Sequence, residues 1–323
     1  MKRLLKILAV IAILLVALFL IFRTPDTDPK AMRAKYAQSP SHFVALDNGE
    51  RVHLRDEGPR KGVPIVLLHG SNADLHTWQP WVDRLVQTHR VIRFDQRGHG
   101  LTGPAPDGDY SRTAFAADVE RVANALKLDR FVLAGNSMGG GIALEYALAH
   151  ADRLAGLVLV DAAGAPQTEK AKGNIGFTLA RLPATSWLMR SITPRSLIEK
   201  SLRQSVTNKT VVTDASVDRY WELLRYPGNR QATATRFGTP QTPFTAAQLA
   251  GVNVPTLIIW GERDPLIPLS SGRWLAQHIP AGQIAVLPGI GHIPMEEAPD
   301  ASARILDSWL TAKTRSATSA PRP

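Results

Sequence analysis

Apolar residues along the chain come first as one unbroken block, then as short runs alternating with helical spacing. They continue as helical patches alone, and then as short runs again. The block is Leu4–Phe22, apolar except for Lys6. Nineteen helical residues rising ~1.5 Å each span roughly 28 Å, about the thickness of a bilayer's hydrocarbon core. The block ends in bulky Phe19-Leu20-Ile21-Phe22, whereas a secretory cleavage site needs small residues. Residues 1–22 are therefore expected to be an uncleaved, single-pass membrane anchor rather than a cleaved signal. Lys2, Arg3 and Lys6 favour an inside N-terminus, although Arg23, Lys30, Arg33 and Lys35 weaken the asymmetry. The rest of the chain is then expected outside the cytoplasm, on the periplasmic or extracellular side. Residues 23–41, with Pro25, Pro29 and Pro40, read as a linker.

From His42 the pattern is strand alternating with helix. HFVALDNGERVHLRDEG reads as a hairpin turning at Asn48-Gly49. PIVLLHG (64–70) is nearly all apolar, as a strand buried on both faces must be. A strand in HRVIRFDQRGHG (89–100) follows, then a helix over 111–128 with Phe115, Val119, Val122 and Leu126 on one stripe and Ser111 or Thr113 as its cap. DRFVLAGNS, a helix from Met138, and LAGLVLVDAAG (154–164) continue the alternation. It predicts an α/β fold: a mostly parallel sheet flanked by helices. Residues 165–245 contain helical patches only, broken at Pro183, Pro194 and Pro227. The strand–helix rhythm resumes at VPTLIIWGERDPLIP, with a strand at 283–288 and a last helix from Pro299 to about Ala312. The expected organisation is a core in two parts, 42–164 and 246–312, an all-helical lid over 165–245, and a disordered tail over 313–323.

Composition narrows the chemistry. There is no cysteine among the 323 residues, which excludes disulfides, thiolate metal sites and a thiol nucleophile. No metal-binding cluster and no cofactor motif is evident. The formal charge is +10, and residues 165–236 hold twelve Lys/Arg against five Asp/Glu. No basic run or nucleic-acid motif accompanies them, so nucleic acid is not an expected partner. The basic excess over 165–245 reads first as a solvated face; on an anchored protein the alternative is a second membrane contact to anionic headgroups. Phe177, Leu179, Trp187, Leu188 and Met189 are candidates to line an apolar pocket beneath the lid.

One serine lies between a strand and a helix with glycines on both sides: Gly135-Asn136-Ser137-Met138-Gly139. An abrupt strand-to-helix turn strains its central residue and leaves no room for side chains two positions either side. The hydroxyl of Ser137 is thereby held out at the sheet edge, beside a helix N-terminus that stabilises negative charge. A serine needs a base to take its proton during attack. His292, in a loop just past a predicted strand, is the best placed of nine histidines. Asp264, after TLIIWGERD, is the acid expected to orient it. His69 and His99 are expected in structural roles, and Asp95 and Arg97 are expected to brace their loop by a mutual ion pair.

These pieces together resemble the α/β-hydrolase superfamily over nearly all of residues 42–312. The matching stretches are HGSNADLHTW (69–78), DQRGHG (95–100), GNSMGG (135–140), WGERDPLIP (260–268) and GIGHIPMEEAP (289–299). The resemblance implies the chain order nucleophile, acid, histidine, met by Ser137, Asp264 and His292, with Asp161 after LVLVD as the alternative acid. It also implies an oxyanion hole from the backbone N–H groups of Met138 and Ser71. An aspartate nucleophile, as in the dehalogenase-like and epoxide-hydrolase-like branches, is absent. Acyl chemistry remains: hydrolysis of a small-molecule carboxylic ester, including lipid-like or amphipathic ones, through an acyl-enzyme on Ser137. GNSMGG also resembles the elbow of the meta-cleavage-product C–C hydrolases. In those a tryptophan usually follows the histidine, where Ile293-Pro294 stand here. Lactonase, amidase and cofactor-free haloperoxidase-like activities use the same apparatus. A non-catalytic binding protein of this fold is the alternative from another class.

Overall fold

A computed structural model describes residues 1–166, 169, 173–181, 188 and 190–319. Its centre is one eight-stranded sheet in the order β1-β2-β4-β3-β5-β6-β7-β8. The strands are β1 (His42–Ala45), β2 (Arg51–Glu57), β3 (Ile65–Leu68), β4 (Val91–Phe94), β5 (Phe131–Asn136), β6 (Leu154–Val160), β7 (Thr256–Gly261) and β8 (Gly282–Leu287). The hairpin β1–β2 is antiparallel, and β2 joins β4 antiparallel. All other pairings are parallel.

The continuous apolar runs have a simple cause. Successive side chains in a strand point to opposite faces, and both faces are covered. Val66, Leu68, Leu133 and Ile258 join one core with helices α4 (Arg112–Ala125) and α5 (Met138–Ala149). Their neighbours Ile65, Leu67, Val132 and Ile259 join the other, with Trp78, with Trp81 of α3 (Gln79–Leu85), and with the C-terminal helix residues Ala303 and Leu306. Ser111 caps α4, its side chain accepting from the Ala114 N–H.

Between β6 and β7 the described residues form helices and no strand: α6 (Ile175–Arg181), α7 (Arg195–Ser205), α8 (Asp214–Leu224) and α9 (Asn229–Gly238). Several of this segment's arginines are held in ion pairs, at the surface for Arg195 and Arg203 and largely buried for Arg219 and Arg230. Arg195 pairs with Asp218, Arg203 with Glu199, Arg219 with Asp74 and Glu296, and Arg230 with Asp26.

The first helix, α1 (Lys2–Phe22), is long and apolar enough to cross a membrane, with a mean hydropathy of 3.2 over its most apolar window, and none of that window packs on the protein. The stretch after it is no loose tether. Asp28 caps α2 (Pro29–Tyr36) and Pro29 starts it, while Met32 and Tyr36, four apart, are buried. Residues 24–27 are laced to the helical segment: the Thr24 N–H donates to the Ser191 carbonyl, the Thr27 N–H to that of Arg225, and Arg225 Nε to that of Pro25. Proline spacing says nothing about these partners, which lie some two hundred residues away. At the other end the last helix runs from Pro299 to Ser319, beyond the expected end near Ala312, so residues 313–319 are helical rather than tail.

Candidate active site

Ser137, Asp161, Asp264 and His292 follow the C-terminal ends of β5, β6, β7 and β8, where ligand sites of open α/β sheets form. Ser137 follows β5 directly and adopts φ 54°, ψ −117°, a conformation that costs a side-chain-bearing residue about 1–3 kcal/mol. The surroundings hold it there. Its N–H donates to the Val160 carbonyl, and its own carbonyl accepts from the N–H groups of Gly140, Gly141 and Ala163. The glycines are required: a Cβ at Gly135 would stand 2.2 Å from the Gly139 carbonyl oxygen, and one at Gly139 would stand 2.4 Å from that of Leu68. Met138, at the first position of α5, has an N–H with no partner one turn back.

His292 comes from the loop after β8 and is buried. Its Nδ1 lies 2.7 Å from Asp264 Oδ2, and the other carboxylate oxygen accepts from the N–H groups of Leu266 and Ile267. Asp264 therefore stiffens its own turn and orients the ring, leaving Nε2 as the nitrogen remote from the carboxylate. Two further contacts fix the loop. Asn136 Nδ2 donates to the His292 carbonyl at 3.1 Å, and Glu297 accepts from the Gly291 N–H and from those of Thr207 and Asn208.

Asp161 is fully buried directly after β6, its Oδ1 accepting from the Gly261 N–H. One polar atom each of Asp161, Asp264 and His292 fall within 4.8 Å of one another. Burial first, and then the Asp264 charge, hold the Asp161 carboxyl well above the usual carboxylate range. It lies beside the carboxylate that His292 contacts.

Ser137 and His292 together line two adjoining cavities of about 90 Å³ and about 620 Å³. The smaller is walled by Leu197, Ile198, Leu202, Tyr220 and Ile293. The larger is walled by Met138, Arg236 and Phe237, among others. Ser71, Phe177 and Leu266 border both. Of the five candidate apolar residues, Phe177 is on the walls and Leu179 and Leu188 are not, while Trp187 and Met189 lie outside the described residues.

The remaining motif residues are structural, with one correction. His69 contacts the Gly70 carbonyl through Nδ1 and accepts the Gln96 N–H on Nε2. His99 Nδ1 lies 2.8 Å from the Arg97 carbonyl. Asp95 and Arg97 do not pair with each other. Asp95 accepts from His53 and from the N–H groups of Leu75 and Leu101, whereas Arg97 forks onto Asp118. Both residues lie past the end of β4, in a loop where strand periodicity does not set side-chain direction. Arg236 and Thr233 carry no motif and escape sequence reading, as do the roles of Asn136 and Glu297, although these two fall inside motif stretches.

A strained serine at the tip of a central parallel strand lines the same cavities as a carboxylate-held imidazole, an arrangement suited to a hydrolase. The model of a family described as the alpha/beta hydrolase fold matches residues 63–299, and the chain belongs to that family. A 2-hydroxymuconate semialdehyde hydrolase of Pseudomonas sp. (strain CF600) is 30% identical over 255 residues, 76% of this chain and 84% of that protein. Among solved structures, a bacterial membrane phospholipase A superposes with a TM-score of 0.76 at 25% identity, covering 97% of this chain and 99% of that one. An esterase from Thermogutta terrifontis superposes with a TM-score of 0.70 at 27% identity, covering 85% and 99%.

Proposed function

We propose that this hydrolase cleaves carboxylic esters through an acyl-enzyme on Ser137. The observation that carries the reading is the pairing of a serine at φ 54° with a cavity-facing His292 whose Nδ1 is bonded to Asp264. In this mechanism His292 takes the Ser137 proton as the hydroxyl attacks the carbonyl carbon. The N–H groups of Met138 and Ser71 receive the oxyanion, and His292 then protonates the leaving alcohol. Water, activated by the same imidazole, releases the acid. Asp264 is the acid that orients His292, and Asp161 is a buried neighbour.

Two compartments meeting at Ser137 suit an ester with a chain on each side of the carbonyl, and the apolar walls of the smaller suit an acyl chain. Helices α6–α9 serve as the lid over this junction. Membrane attachment through α1, with the remainder outside the cytoplasm, would place the enzyme beside amphipathic esters. The similarity to a membrane phospholipase A supports that substrate class. With several of its arginines held in ion pairs, the lid is a weaker membrane contact than α1.

The kinship with a 2-hydroxymuconate semialdehyde hydrolase favours C–C hydrolysis as the second reading. A panel of p-nitrophenyl esters from C2 to C16 and a ring-cleavage dienoate, assayed with wild type and Ser137→Ala, separates them. Ester turnover lost in S137A, with fluorophosphonate labelling at Ser137 abolished by His292→Ala, is the expected result. Turnover of the dienoate alone would transfer the assignment to C–C chemistry. A folded protein that neither turns over substrate nor takes the label would be a binding module.

A further inference from the structure

The loop after β3 has to present the Ser71 N–H to the reacting carbonyl, and its path is awkward. Asn72 sits at φ 59°, in the left-handed region, which asparagine tolerates better than most residues. The side chains of this loop are held from α9. Arg236 Nη1 donates to Ser71 Oγ at 2.7 Å, and Nη2 donates to Asn72 Oδ1 at 2.8 Å. Thr233, three residues earlier on the same helix face, donates its hydroxyl to the same Asn72 oxygen at 3.0 Å. Arg236 is 8% exposed and borders the larger cavity with Ser137 and His292.

The geometry is that of a fork. A guanidinium is planar and rigid, so two parallel donors reaching two successive residues fix the orientation of the loop as well as its distance. A lysine supplies one point of contact and leaves the loop free to pivot. The charge is also felt across the loop: with burial as the larger cause, it helps to hold His69 and His99 below the usual imidazole range.

We propose that Arg236, assisted by Thr233, is a positioning residue that clamps Ser71 and Asn72 so that the Ser71 N–H faces the oxyanion. The inference rests on the acyl-enzyme reading of Ser137. It makes a lid residue part of the apparatus that stabilises the transition state, acting through Ser71 and without touching substrate. Loss of one oxyanion donor typically costs about 10²–10³ in kcat. Loosening such a donor without deleting it is expected to cost about 10–100-fold.

The test uses the full-length protein in detergent with Arg236→Met, Arg236→Lys and Thr233→Val. A neutral ester (p-nitrophenyl butyrate) and an anionic one (mono-p-nitrophenyl succinate) are assayed in parallel. Arg236→Met is expected to lower kcat about 10–100-fold on both esters with KM within about threefold of wild type. Its affinity for a trifluoromethyl ketone analogue should fall in step with kcat/KM. Arg236→Lys should recover part of the loss, and Thr233→Val should show a smaller loss of the same kind. These two conserve packing and decide the matter if Arg236→Met fails to fold. A defect confined to the anionic ester and expressed in KM would make Arg236 a substrate-carboxylate ligand and overturn the proposal. Unchanged kcat on both esters would overturn it as well. Wild-type protein that neither hydrolyses the esters nor labels at Ser137 would instead bring down the acyl-enzyme reading, and this inference with it.

Discussion

The side-chain amide of Asn136 donates to the backbone carbonyl of His292 at 3.1 Å and, from the same nitrogen, to that of Val160 at 3.1 Å. The residue before Ser137 thus holds the loop that carries the imidazole, tying the end of β5 to the loop after β8. Removing that amide frees the His292 loop to drift relative to Ser137. A displacement of about 1 Å costs up to ~10²-fold in rate. Asn136→Ala is therefore expected to lower kcat about 10–100-fold. The unfolding free energy from urea titration should fall by no more than the ~1–3 kcal/mol of a buried polar deletion. Stopped-flow acylation with a p-nitrophenyl ester checks this, and near-wild-type acylation would show that the bond carries no positioning role.

The two buried aspartates are expected to respond oppositely to the same change. Burial and the Asp264 carboxylate both push the Asp161 carboxyl towards its uncharged form, so Asp161→Asn is the milder change and should retain at least a tenth of the activity. Asp264→Asn removes the acceptor of the His292 N–H and should cost about 10³–10⁴ in kcat. Steady-state kinetics of the two variants decide between the acids. A larger loss in D161N than in D264N would reverse their roles.

Gly139 approaches the end of β3 so closely that an alanine there would place its Cβ 2.4 Å from the Leu68 carbonyl oxygen and 2.7 Å from that of His69. Backbone cannot yield as a flexible side chain does. Gly139→Ala should destabilise the protein by about 1–3 kcal/mol and push Ser137 out of register with the loop bearing Ser71. Gly289 offers a control: no atom lies within 4 Å of a Cβ built there, though its φ of 71° makes any substitution a purely backbone cost. Thermal melts and fluorophosphonate labelling of both variants are the measurement, with labelling expected to fail in G139A and persist in G289A.

The sheet and the serine turn were legible because each is written locally. Ile65–Leu68 and Phe131–Asn136 must be apolar on both faces, and Gly135 and Gly139 must lack side chains. The pairing of His292 with Asp264 was legible only through motif order, since the contact spans 28 residues. What escaped reading depends on partners far apart in sequence. Thr27 meets Arg225, and Arg236 meets Ser71 across 165 residues. No periodicity encodes such contacts. The same limit explains why Asp95 and Arg97, two apart in sequence, were paired with each other when their side chains in fact reach His53 and Asp118.

Glu50 gives the protein a pH-dependent stability that has no part in catalysis. It is 4% exposed beside the β1–β2 turn, and among the described residues neither carboxyl oxygen has a hydrogen-bond partner. Burial is the larger cause, and the Asp118 charge the next, that push its pKa up to about 7, against the opposing pull of Arg97. A carboxyl whose folded pKa exceeds its unfolded value binds more protons in the native state. Native stability therefore declines as pH rises from the unfolded value of 4.5 to about 7, and the penalty is complete above that. Glu50→Gln keeps the shape and removes the ionisation. Relative to wild type it should gain on the order of 2–3 kcal/mol between pH 5 and pH 8. Urea unfolding of both proteins at the two pH values provides the comparison, and parallel pH profiles would mean that Glu50 reaches water or a partner when ionised.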